Sequence, residues 1–159
     1  MKHYKRKAMK KGMIYLYLFV FSTISYAQSY KTAIGLKGGY PGYGSLNAKH
    51  FISATNALEA SVGTGRFGLW LQGLYEWQHD LPTKGYEWYV GVGPNIGIQS
   101  SALSNGSTFY FSGSGLLGIE YTFDKIPLNI ALDSGPVIQL LPVFGFGWGG
   151  GLAARYTLK

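Results

Sequence analysis

From residue 31 to the end of the chain, apolar and polar residues alternate with period two, and almost every charge within an alternating segment falls on one parity. In "GLWLQGLYEWQHD" (68–80) one parity reads Leu69, Leu71, Gly73, Tyr75, Trp77, and the other Trp70, Gln72, Leu74, Glu76, Gln78, Asp80. "FYFSGSGLLGIEYTF" (109–123) repeats the pattern, with Phe109, Phe111, Leu117, Ile119 and Tyr121 opposite Ser112, Ser114, Gly118 and Glu120. Successive side chains of a strand point to opposite faces, so this period predicts strands. Eight such segments are expected, at about 31–40, 43–52, 57–65, 68–80, 86–98, 109–123, 128–140 and 149–158. Tight connections follow the second, fourth and sixth ("SATN", "LPTKG", "DKIP"), and "PG" and "RF" follow the first and third. Looser ones, "QSSALSNGST" and "LPVFGFGW", follow the fifth and seventh. No segment here has helical periodicity, and no linker divides it.

The polar parity decides which face is the inside. It carries Lys37, Lys49, Glu59, Glu76, Glu87, Glu120, Asp133 and Arg155, and between them mostly Gly, Ala, Ser, Asn and Gln, as at Gly91, Gly93, Asn95 and Gly97. A surface washed by water normally carries many more Lys and Glu. A sparse set of opposed charges among small residues suits the narrow lumen of an eight-stranded barrel, which side chains just fill. The opposite parity then faces lipid, the inverse of a soluble barrel. The expected fold is therefore all-β: a closed eight-stranded antiparallel up-and-down transmembrane β-barrel. Its lumen charge network would comprise Lys37, Lys49, Glu59, Glu76, Glu120, Asp133 and Arg155, with signs matched because an unpaired buried charge costs several kcal/mol. Tyr40, Tyr43, Trp77, Trp88, Phe109, Phe111, Phe123, Trp148 and Tyr156 sit near segment ends, as aromatic girdles do. A soluble lipocalin-like barrel or sandwich is the competing architecture, and it calls for an apolar inner face.

The first residues belong to a different regime. "MKHYKRKAMKKG" holds six of the fourteen Lys and Arg and no acid; "MIYLYLFVFSTIS" follows, then Ser25 and Ala27 at the −3 and −1 positions before Gln28. This reads as a cleaved secretory signal peptide over residues 1–27, preceding a single domain over 28–159. A stretch of thirteen residues is too short for a spanning helix, which needs roughly 20. Without the leader, eight basic residues face seven acids, so the basic balance belongs to the export signal and gives no nucleic-acid footprint. The chain has no Cys, which excludes a disulfide framework and a cysteine-linked lipid anchor.

Three stretches match G-x-G-x-x-G: "GTGRFG" (63–68), "GSGLLG" (113–118) and "GFGWGG" (145–150). A dinucleotide loop must open a helix. All three continue into alternating segments, so none is a nucleotide site and no cofactor is expected. His50 and His79, the two histidines beyond the leader, neighbour no recognisable Ser motif and have no metal-ligand spacing, so neither a catalytic nor a metal site is expected.

"KHFISATNALEASVG", "GLYEW", "WYVGVGPNIG", "GIEYTFDKIPLNIALDSGP" and the closing "ARYTL" together resemble the small eight-stranded outer-membrane barrels of OmpX/OmpA type, in particular those of Bacteroidota. The resemblance covers essentially all of residues 28–159 and concerns barrel building more than activity. It implies residence in the bacterial outer membrane, contact with outer-membrane lipid and lipopolysaccharide, insertion by the barrel-assembly machinery, and a monomer. The family usually ends on an aromatic residue, whereas this chain ends Tyr156-Thr157-Leu158-Lys159, leaving Leu158 or Tyr156 to serve in its place. A structural or surface-interaction role is expected. The alternatives are a narrow channel, in which Arg155 or Lys49 exchanges partners among Glu76, Glu120 and Asp133, and a barrel enzyme acting on outer-membrane lipid. An even strand number with a periplasmic N-terminus puts "LPVFGFGW" outside the cell, either as an apolar contact surface or as part of the upper girdle.

Overall fold

The computed structural model describes residues 30–66, 68–101 and 106–158; the expected leader lies outside the described residues. Eight strands follow one another: β1 (Thr32–Tyr40), β2 (Gly42–Phe51), β3 (Asn56–Gly65), β4 (Gly68–Asp80), β5 (Tyr86–Ser101), β6 (Gly106–Thr122), β7 (Leu128–Leu141) and β8 (Gly145–Leu158). Each pairs antiparallel with its chain neighbour, and β8 pairs with β1 to close the barrel. Closure leaves no sheet edge with unpaired backbone groups. There is no helix among the described residues.

The two connections expected to be loose are largely strand. In the β5–β6 hairpin, Gln99, Ser100 and Ser101 pair with Thr108, Ser107 and Gly106. In the β7–β8 hairpin, Gln139 and Ile138 pair with Gly145 and Phe146. The polar and glycine-rich composition of these hairpin ends hid them, because backbone pairing persists where side-chain alternation stops. Gly68, the first residue of β4, and Gly85, in the β4–β5 connection, take positive φ, 77° and 83°, where only glycine turns without strain.

The register fixes the slant of the strands. From Gly35, directly paired residues run through Asn47, Ser61, Gln72, Asn95, Ser112 and Gln139 to Gly145, which lies ten residues from Arg155, Gly35's partner across the closing seam. A shear of ten on eight strands corresponds to a tilt of about 40°. Strands of nine to seventeen residues, rising about 3.3 Å per residue at that tilt, then span roughly 23 to 43 Å. Two prolines interrupt the ladder without shifting it. Pro94 in β5 and Pro136 in β7 lack an N–H, and direct pairing resumes in the same register on either side.

The faces are those of an inside-out barrel. Ile34, Leu36, Leu46, Leu58, Leu71, Val92, Leu117, Ile119, Leu132 and Leu152 are exposed on the outer surface. No Asp, Glu, Lys or Arg stands at an outward position of any strand's paired body. The charged side chains of the strands point inward, so the centre of this molecule is polar.

Candidate functional site

The lower half of the lumen, nearer the chain termini, holds a charge network to which every strand contributes. Arg155 on β8 donates to Glu59 on β3, to Asn47 on β2 and to Asn129 Oδ1 on β7 at 3.0 Å, and it lies 3.7 Å from Glu120 on β6. Lys49 on β2 reaches across the barrel to Glu120 Oε2 at 2.7 Å and to Gln78 Oε1 on β4 at 3.1 Å. Lys37 on β1 donates to Glu59 Oε1 at 2.8 Å and to Asp133 Oδ2 on β7 at 2.6 Å. All but the Arg155–Asn129 bond join strands that are not neighbours in the sheet. They brace the tube across its width, which ladder hydrogen bonds cannot do.

All seven charges named for the network lie inside, and the structure brings them together in a particular pairing. Asp133 is held by Lys37 rather than by Arg155 or Lys49. Glu76 Oε2 forms a buried ion pair with Lys49 Nζ at 2.9 Å, and its Oε1 has no hydrogen-bond partner among the described residues. Acids outnumber bases inside, by more than the expected network did. Glu87 on β5 is also buried and joins through Gln78 Nε2 at 2.9 Å, giving five carboxylates against three cations. Neutral donors make up the difference. Tyr89 on β5 donates to Asp133 Oδ2 at 2.9 Å, and Tyr30, just ahead of β1, donates to Glu120 Oε1 at 3.1 Å. A hydroxyl satisfies a carboxylate lone pair without adding charge.

Aromatic rings seal this network from below. Tyr30 packs edge-on against Phe51, 5.2 Å between centroids, beside Ala33 and Ala57. The Lys49 ammonium lies 5.3 Å from the Phe51 ring and 4.6 Å from the Tyr89 ring, so cation–π attraction adds to its ion pairs. Tyr89 fits because its ladder partner is Gly118, where a Cβ would come 2.2 Å from Tyr89 Cζ. The sequence reading missed Tyr30, Tyr89, Asn47, Asn129 and Gln78. The last four share the inward parity of the charges, which was the available signal.

Above the network the filling changes. Trp70, Leu74 and Leu116 are buried in the lumen, together with the amide–hydroxyl chain Gln72–Asn95–Ser114. A void of about 20 Å³ lined by Lys37, Trp70, Gln72, Ser114 and Asp133 has room for one water-sized body.

The girdle residues divide between the two ends. Trp77, Trp88, Phe123 and Tyr156 ring the end near the termini; Tyr40, Tyr43, Phe109, Phe111 and Trp148 ring the other. Tyr75, Tyr86 and Tyr121 join the first ring, where Tyr75 meets Trp77 at 4.9 Å and Tyr86 meets Tyr121 at 4.5 Å. His79 stacks on Trp88 at 4.5 Å, and His50 Nδ1 is 2.8 Å from Thr32 Oγ1. In the turns below, Asp124 lies 2.9 Å from Lys84 Nζ and holds that ammonium above its ordinary pKa through a hydrogen bond and its charge. Among the described residues no group of three or more His, Asp or Glu could hold a metal ion. Comparison of the chain with family models, curated proteins and solved structures gives no match.

Proposed function

We propose that this chain is an integral outer-membrane β-barrel of the small eight-stranded kind, exported by the leader at residues 1–27. Its lumen is closed by the ion network and its role is structural or one of surface interaction. The reading rests chiefly on the distribution of charge: none on the outward strand faces, eight charged side chains inside. In lipid the outer leucines, valines and isoleucines need no further cover, and the closed ladder satisfies the backbone. In water the same surface would be one continuous apolar patch far larger than soluble monomers expose. The two aromatic rings fit the two membrane interfaces. An even number of strands puts both termini on one side, taken as periplasmic. Lipid and lipopolysaccharide are then its immediate surroundings, and the barrel-assembly machinery its partner during insertion.

The test is refolding of residues 28–159 from urea into lipid vesicles, followed by density flotation and electrophoresis with and without boiling. The protein is expected to float with the lipid, and the unboiled sample to migrate faster than the boiled one. A protein that folds without lipid and stays in the dense fraction would refute the membrane reading.

A further inference from the structure

The upper mouth of the barrel contains a cavity that the ion network does not use. It measures about 260 Å³ and lies among the β1–β2, β3–β4 and β7–β8 connections, with Tyr40, Phe144 and Phe146 in its walls alongside Arg66, Ser112 and Gln139. It exists because the inward face of β8 carries no side chains there. A Cβ built on Gly145 meets only Gln139 Cβ at 4.0 Å, and one built on Gly147 only the Val137 carbonyl oxygen at 3.9 Å. Two residues on, a Cβ at Gly149 would come within 2.8 Å of the Tyr40 carbonyl oxygen. Packing therefore requires glycine at 149 and leaves 145 and 147 free to carry larger residues. The glycines at these two positions keep the mouth open.

The walls define a ligand. Arg66 is the one charged residue in the four connections at this end of the barrel. It is held there by a hydrogen bond to the Tyr40 hydroxyl, by a cation–π contact at 5.9 Å from the centroid of that ring, and by its backbone N–H on the Pro41 carbonyl at 2.9 Å. Gln139 is held by its Nε2 on the Val143 carbonyl at 3.0 Å, and Ser112 Oγ accepts from Asn95 Nδ2 at 3.2 Å. Aromatic rings take the C–H face of a pyranose, an amide and a hydroxyl take its hydroxyl groups, and a guanidinium takes a carboxylate or phosphate. The volume lies just under the roughly 300–1,000 Å³ of small-molecule pockets, enough for one ring and too small for an acylated head group.

We propose that this mouth binds a single saccharide ring bearing an acidic group, presented free in solution or at the end of a surface glycan. The inference goes beyond the membrane reading and can be tested apart from it, because barrel folded in detergent micelles answers the question wherever the protein resides. The measurement is an NMR titration of the Gly145 and Gly147 amides with glucuronate and with glucose. Glucuronate is expected to give saturable shifts and glucose to bind at least tenfold more weakly. Gly147→Leu, whose Cβ makes only an ordinary van der Waals contact with the Val137 carbonyl oxygen, is expected to abolish the shifts, and Arg66→Gln to weaken glucuronate about tenfold. Both variants should keep the heat-modifiable mobility of the wild type. Competition by lipopolysaccharide micelles would assign the ring to a membrane glycolipid; its absence would assign it to a soluble acidic saccharide. Glucuronate shifts that do not saturate, or that persist unchanged in Gly147→Leu, would overturn the proposal.

Discussion

The two halves of the lumen are made from the same eight strands and are filled in opposite ways. Below, Arg155, Lys49 and Lys37 bridge strands across the tube, and side chains there are almost wholly buried. Above, β8 presents glycine at 145 and 147, and a cavity of about 260 Å³ remains open. Glycine itself has different meanings in the two places. At Gly118 it is required, because the Tyr89 ring occupies the space of its Cβ; at Gly147 nothing does. A barrel needs cross-bracing at one level to fix its register, and beyond that level its mouth can be shaped without cost to the fold.

The largest expected effect comes from removing the brace. Arg155→Met strips the guanidinium from Glu59 and Glu120 and leaves both carboxylates buried with fewer partners, which should cost about 3–5 kcal/mol in urea unfolding of the folded barrel in micelles. Loss of under 1 kcal/mol would mean that the network fills space without holding register. Next comes Gly118→Ala, expected to cost roughly 1–3 kcal/mol by driving the Tyr89 ring off its bond to Asp133. Combining it with Tyr89→Ala should be clearly non-additive, because the two residues share one volume. Glu76→Gln keeps the side chain's shape and removes one of the two carboxylates paired with Lys49, which retains Glu120 at 2.7 Å, so stability should fall by only about 1 kcal/mol. Glu59→Gln, which breaks bonds to both Lys37 and Arg155, should cost several times more. At the small end, Gly147→Val should stay within about 0.5 kcal/mol of wild type. A large penalty there would erase the contrast between the halves.

Parity accounts for how much of this could be read without coordinates. A one-residue step along a strand reverses the face, so the alternation of Leu71, Tyr75 and Trp77 against Gln72, Glu76 and Gln78 is enough to tell inside from outside. Parity says nothing of height. Which inward residues share a level depends on the shear of ten, a property of the closing β1–β8 pairing that no local pattern encodes. That is why Asp133 could be placed in the lumen while its partnership with Lys37 could not be foreseen. Tyr89 escaped for another reason. A large aromatic among charges looks misplaced until the glycine opposite, 29 residues along the chain at Gly118, is known to face it. The hairpin ends around Gln99 and Gly145 were hidden because polar and glycine-rich ladders lack alternation.

The absence of cysteine lets the inversion be tested one position at a time. Single cysteines at Leu132 and Ser61, spin-labelled after refolding into vesicles, should differ sharply in collision with oxygen and with a water-soluble nickel chelate. The account predicts that the Leu132 label meets oxygen freely and the chelate hardly at all, while the Ser61 label is immobilised and shielded from both. A Leu132 label readily reached by the chelate would place the outer leucines in water and contradict the account.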